Sequence, residues 1–385
     1  MKQQDVEMPL TTMASWTRMS RLVPKLSLCQ ELDSTEYDAL VWVGPDYKKC
    51  TNEVIISAVS SMMAVDVSVS SAGCVTPIPL PCKRLVFSPT GPIDRDYDDL
   101  RRFAEAAQKG VKKALGAGSK HPLVMVQGTM LGKAVEECEL AGLLGALAAL
   151  YVPLEMREVG EKEASKVEGM GWAGGKEVME KALAIEKGRV VCRDIGGSDP
   201  ERMAAPRVEE YVEKVFKGTN VKVEVMKGQE FFEREYPCLA AVNRCASTVA
   251  RHDGRLIWLT YQGEGTVKKT VYLVGKGITY DTGGADIKAG GVMDGMSRDK
   301  CGAAAAANFM KTIAELKPPG VKVVVALCMV RNSVGANCYV ADEIITSRAG
   351  VRLRVGNTDA EGRMAMVDVL CRAKELALSD PGESK

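Results

Sequence analysis

Short apolar runs recur along the first half of the chain, separated by segments in which apolar residues return every three or four positions. Residues 38–44, 84–88 and 123–127 are runs rich in Val, Leu, Trp, Phe and Met, bounded by Gly, Pro or Lys, as strands are. Between them, Leu100, Phe103, Ala107, Val111 and Leu115 share one face of a helix expected over 97–115, and 134–150 reads as a second helix. This alternation predicts an α/β domain over residues 1–155. Residues 156–188 turn charged and Gly-rich and then helical over 176–187, which marks them as a linker and connecting helix. A second domain is expected over 189–385. Its helices fall at 207–217 and 302–316, and its strands at 221–225, 256–261, 270–274 and 321–330. The near-continuous apolar character of 321–330 argues for a mainly parallel sheet covered on both faces, so this domain too reads as α/β.

Composition narrows the function classes. A chain of 385 residues with 46% hydrophobic and 26% charged residues is globular rather than disordered. A net charge of +1 and only 5% aromatic residues remove the case for a nucleic-acid binder. The longest apolar run, residues 140–153, falls short of the ~20 residues a membrane-spanning helix needs. The N-terminus shows no basic stretch followed by an apolar one, so no secretory signal is expected. Twelve Cys without a CxxC pair read as free thiols of a reducing compartment, which predicts a cytoplasmic location. With only two His, any metal site must be built mostly from carboxylates.

Unusual polar residues crowd into two stretches. In the first, an apolar strand runs into the Gly-rich segment Gly275-Lys-Gly-Ile-Thr-Tyr-Asp-Thr-Gly-Gly284 and continues through Lys288 and Met296 to Asp299. In the second, Gly356-Asn-Thr-Asp-Ala-Glu-Gly-Arg363, Asp359 and Glu361 lie between a strand expected over 351–355 and a helix beginning near Met364. Loops at the carboxyl ends of parallel strands are where such sheets bind ligands. Asp281, Asp299, Asp359 and Glu361, drawn together, could not all stay ionised without added positive charge, which two divalent cations would supply. A neutral Lys276 amine is a further possible ligand, and Lys288 and Arg363 are cations free to hold an anion or oxyanion. Taken singly, each feature has a plainer reading. Gly275-Lys-Gly277 could be a phosphate-binding turn, although the third Gly of a dinucleotide fingerprint is missing and no P-loop pattern occurs. Asp359 and Glu361 could be acids favoured at a helix N-terminus, and Met296 could be a core residue.

The two stretches together closely resemble the leucyl aminopeptidase (cytosol aminopeptidase) family. Asn357-Thr-Asp-Ala-Glu-Gly-Arg363 is similar to that family's most recognisable segment in every position, and Gly275 to Asp299 to its metal-binding block. The similarity covers about residues 190–378 and barely reaches the N-terminal half. It implies an α/β catalytic domain that releases the N-terminal residue of peptides, Leu and other apolar residues preferred, through a two-metal-activated water. It further implies that Lys276, Asp281, Asp299 and Glu361 ligate one ion, Zn or Mn. Asp281, Asp359 and Glu361 would ligate the other. Lys288 matches the lysine that polarises the scissile carbonyl, Arg363 the arginine that holds bicarbonate, and Met296 a wall of the pocket for the first side chain. A homohexamer is implied as well. The alternative is a catalytically silent relative that serves as a structural or binding protein.

Three departures accompany the resemblance. Lys300-Cys-Gly-Ala303 stands where the family usually has Met-Gly-Gly-Ala, adding a cation beside the ligand set. Gly196-Gly-Ser-Asp-Pro-Glu-Arg-Met203 replaces an Asn- and Pro-rich segment. Family members also continue well past the position matching Lys385, so the catalytic domain is expected to be incomplete.

Overall fold

The computed structural model describes residues 23–160, 165–290 and 293–380. The chain divides into two compact units after Glu186. In the first, strands β1 (Leu26–Leu28), β2 (Ala39–Gly44), β3 (Cys74–Pro77), β4 (Arg84–Pro89), β5 (Pro122–Val126) and β6 (Met170–Trp172) form one sheet in the order β1-β6-β5-β2-β4-β3. All its pairings are parallel except β3 with β4. Helices α1 (Glu53–Val65), α2 (Val69–Ala72), α3 (Arg101–Gly116), α4 (Val135–Leu150) and α5 (Leu154–Val159) belong to this unit. Every residue of β2 is buried, as a strand flanked on both edges and packed on both faces requires. Helix α3 begins at Arg101 rather than at 97. The Asp99 carboxylate accepts the Arg101 N–H at 2.8 Å, so it satisfies one of the donors that a helix start leaves open.

The second unit begins within α6 (Lys176–Gly197) and runs on through α7 (Ala205–Phe216), β7 (Val221–Lys227), α8 (Gln229–Glu235) and α9 (Pro237–Asn243). Next come β8 (Arg255–Gln262), β9 (Lys269–Asp281), α10 (Cys301–Leu316), β10 (Val321–Asn332), the hairpin β11 (Ile344–Thr346) and β12 (Arg352–Arg354), and α11 (Glu361–Ser379). The main sheet has the order β7-β8-β10-β9. Here the parallel character expected from sequence is confined to β9 and β10, because β8 runs antiparallel to both β7 and β10. The reason is the length of the connections. A parallel crossover needs a dozen or more residues, and the β9–β10 link carries α10, whereas β8 and β9 are joined by residues 263–268 alone.

The strand expected over 351–355 shrinks to β12 and, among the described residues, pairs only with β11, outside the main sheet. Conversely, β9 extends to Asp281, well beyond the expected end at 274. One core of this unit packs Val324, Ala326, Cys328 and Val330 of β10 with Ile278 of β9 against Ala365, Val369 and Ala373 of α11. That packing sets the start of α11 beside the carboxyl ends of β9 and β10.

Candidate metal centre

Four chain segments meet at that edge. Strand β9 brings Lys276 and ends on Asp281. The 3-10 turn Met296–Arg298 delivers Asp299, closed by the Asp299 N–H donating to the Met296 carbonyl at 3.3 Å. The 3-10 turn Thr358–Ala360 carries Asp359, and Glu361 opens α11. Asn357 caps the second turn by accepting the Asp359 N–H at 2.7 Å.

Carboxylate oxygens of Asp281, Asp299 and Glu361 lie within 4.8 Å of one another. Two ammonium groups hold the acids together. Lys276 Nζ is 2.8 Å from Asp299 Oδ2 and 2.8 Å from Glu361 Oε1. Lys288 Nζ is 3.0 Å from Asp281 Oδ2 and also pairs with Asp359. Room for Lys276 depends on Gly362. A Cβ at that position would sit 2.6 Å from Cδ and Cε of the lysine. Gly283, with φ +88°, turns the chain so that its N–H donates to Asp281 Oδ1 at 2.9 Å.

Four carboxylates share two ammonium groups here. Burial, with the Asp281 charge adding to it and Lys276 opposing, pushes the Glu361 carboxyl up to about 7. For Lys276, burial works against the charged form, but the Asp299 and Glu361 carboxylates outweigh it and the amine rises above its ordinary value. Lys288 rises likewise, Asp359 and Asp281 overcoming burial. Glu361 is fully buried, and its Oε2 has no hydrogen-bond partner among the described residues. An orphaned, fully buried carboxylate oxygen among other acidic oxygens is chemistry that divalent cations satisfy, so the residues present fit such ions.

The sequence-expected residues do not all converge. Lys276, Asp281, Lys288, Asp299, Asp359 and Glu361 come together through the contacts above. Arg363 is exposed on the first turn of α11 and makes no hydrogen bond or ion pair among the described residues. Met296 is half-buried and begins the turn that presents Asp299. Lys300, whose charge stood out in sequence, is fully buried and directs its ammonium to the carbonyl oxygens of Ser198, at 3.0 Å, and Ser297.

Sequence reasoning missed the residues that hold the acids in place. Asn332, at the end of β10, donates from Nδ2 to Asp281 Oδ1 at 2.8 Å and to the Thr358 carbonyl at 3.1 Å. The Thr358 hydroxyl donates to the Gly283 carbonyl at 2.6 Å and accepts the Asp286 N–H at 2.8 Å. Asp286 Oδ2 accepts the Thr358 N–H at 2.7 Å in return. The buried Tyr339 hydroxyl donates to the Thr358 carbonyl at 2.7 Å. Burial raises the Tyr339 pKa, and the Glu361 and Asp281 charges push the same way. The one available signal is Asn332 itself, the only amide in a strand whose stretch from Val323 to Val330 is apolar throughout.

Residues 190–380 match the cytosol aminopeptidase family, catalytic domain. A Caenorhabditis elegans protein provisionally named an aminopeptidase (W07G4.4) is 45% identical over 324 residues, 83% of this chain and 60% of that protein. A protein of Nostoc punctiforme, provisionally named a cytosol aminopeptidase, is 28% identical over 305 residues, 77% of this chain and 59% of its own length. The chain thus spans about 60% of the length of these curated relatives. Among solved structures, the apo leucyl aminopeptidase from Trypanosoma cruzi superimposes with a TM-score of 0.75 at 20% identity, covering 94% of this chain and 73% of that one. The bottromycin maturation enzyme BotP in complex with Mn gives 0.73 at 21% identity, covering 91% and 70%. At these identities the two structures establish a shared α/β fold. Among the described residues, no helix is long and apolar enough to cross a membrane.

Proposed function

We propose, for a chain whose residues 190–380 belong to the catalytic-domain family of the cytosol aminopeptidases, that this protein is a cytoplasmic metal-dependent aminopeptidase. Its substrates would be peptides with Leu or another apolar first residue, and it would work as a homohexamer. The observation that carries the reading is the gathering of Asp281, Asp299 and Glu361 oxygens within 4.8 Å, with Glu361 Oε2 buried and, among the described residues, unpartnered. Lys276, Asp281, Asp299, Asp359 and Glu361 would hold two divalent ions, Zn or Mn. When bound, such ions supply Lewis acidity and make a hydroxide nucleophile accessible near neutral pH.

The chain's own groups account for the rest. Asn332 and the Gly283 N–H occupy Asp281 Oδ1, which fixes the carboxylate and leaves Oδ2 turned toward Lys288. Lys288, with three donors, would release one carboxylate to donate to the scissile carbonyl oxygen as negative charge develops there. Arg363, exposed and unpaired, would receive an anion such as bicarbonate, and Met296 would line the pocket for the first side chain. Lys276 must lose its proton to serve as a ligand, which ties ion uptake to pH.

The test is hydrolysis of leucyl-p-nitroanilide by the purified chain after Mn²⁺ or Zn²⁺ loading, with Glu361→Gln assayed in parallel. Ion-dependent hydrolysis that disappears in Glu361→Gln is the expected result. A chain that binds the ions yet hydrolyses neither this anilide nor any other apolar aminoacyl anilide is instead the silent relative.

A further inference from the structure

Lys300 occupies a costly position. It is fully buried, and it lies at the N-terminal end of α10, where the helix dipole disfavours a cation. Its ammonium donates to two main-chain carbonyls. One is the Ser297 carbonyl, in the 3-10 turn that presents Asp299. The other is the Ser198 carbonyl, 3.0 Å away.

Ser198 leads into an ordered turn. The Asp199 carboxylate accepts the N–H groups of Glu201 at 2.9 Å and Arg202 at 3.1 Å. Glu201 then takes Arg251 at 3.0 Å and His252 at 2.8 Å. The two sequence departures, around Lys300 and around residues 196–203, are therefore in contact. The ammonium of the first is fastened to the main chain of the second.

We infer that Lys300 is a positioning residue for Asp299: by tying the Ser297 carbonyl to the anchored Ser198 carbonyl, it fixes the turn that presents Asp299 to the carboxylate cluster. This rests on the metal-centre reading above. Without the tie, Asp299 would keep its backbone turn but lose the fixed point against which its side chain is aimed. Groups that orient a metal ligand typically change ion affinity about 10–100-fold when removed.

The experiment titrates the full chain, stripped with EDTA, with Mn²⁺ and follows free Mn²⁺ by electron paramagnetic resonance. Wild type, Lys300→Met, Lys300→Gln and Lys311→Met are compared, with apo melting temperatures measured alongside. Lys311 is the control, a second largely buried lysine of α10 that pairs with Glu315 at 2.8 Å, away from the acids. The expected result is a 10–100-fold loss at one of two Mn²⁺ sites in a Lys300→Met chain that still unfolds in one cooperative apo transition, since Met fills similar volume. Lys300→Gln, which keeps two N–H donors, falls between, and Lys311→Met matches wild type. Wild-type affinities at both sites in a folded Lys300→Met overturn the inference, as does an equal loss in Lys311→Met. Failure of both Lys300 variants to fold also overturns it, because the lysine then holds the domain rather than the site. A wild-type chain that takes up no Mn²⁺ refutes the metal centre itself.

Discussion

Gly362→Ala separates packing from site chemistry. The added Cβ would lie 2.6 Å from Lys276 Cδ and Cε and 2.9 Å from Nζ. Ordinary carbon contacts are about 3.5–4.0 Å, so the end of the lysine must retreat by about 1 Å. That retreat is mechanically easy, because the clash falls on the flexible end of a side chain rather than on backbone. It is chemically expensive, because Nζ now sits 2.8 Å from both Asp299 Oδ2 and Glu361 Oε1. On the stability side, Ala in a helix is favoured over Gly by up to about 1 kcal/mol, and displacing the pairing costs about 1–3 kcal/mol. The net is a loss of about 1 kcal/mol, which for a domain of this size shifts the melting temperature by about 2–4 °C. Ion binding has no such compensation, since a ligand group has been moved off its oxygens, and affinity for Mn²⁺ should fall at least ~10-fold. Differential scanning calorimetry of the apo protein and Mn²⁺ titration of the same sample read the two effects separately. Unchanged Mn²⁺ affinity would refute the placement of Lys276, and a collapse of the apo fold would refute the claim that the clash is confined to a side-chain tip.

The remaining predictions concern charge and orientation. In the ion-free protein Glu361 moves from the ordinary 4.5 to about 7. At 1.36 kcal/mol for each tenfold change in proton affinity, that difference corresponds to about 3 kcal/mol. The folded chain holds this proton more tightly than the unfolded chain. The stabilisation is therefore complete below pH 4.5 and is lost as pH rises through about 7. Urea unfolding with EDTA from pH 4 to 9 should show this decline in wild type and not in Glu361→Gln; parallel curves for the two proteins would contradict it. Asn332→Leu leaves Asp281 Oδ1 with the Gly283 N–H alone and removes one donor from the Thr358 carbonyl. It should cost about 1–3 kcal/mol in apo stability and weaken Mn²⁺ binding about 10-fold. Calorimetry and ion titration check this, and wild-type values in both would show that the amide does not orient Asp281.

The candidate site of this protein is legible in its sequence because its residues are concentrated. Six of the eight expected site residues lie in two short stretches and do meet, and the motif 357–363 carries two of the acids without help from the rest of the chain. Strand and helix positions were legible for the same local reason, since hydrophobic period is written residue by residue. What the sequence left open was anything that depends on which segments become neighbours. The antiparallel placement of β8 is decided by how short its link to β9 is and by β10 inserting between them. Asn332, Tyr339 and Thr358 act across 19 to 75 residues of chain, through hydrogen bonds that leave no spacing pattern to read. Lys300 shows the difference most sharply. Its sequence position puts a cation beside the candidate metal ligands, and the tertiary contact with the Ser198 carbonyl directs that charge to main-chain oxygens, because a buried ammonium goes wherever acceptor oxygens are fixed.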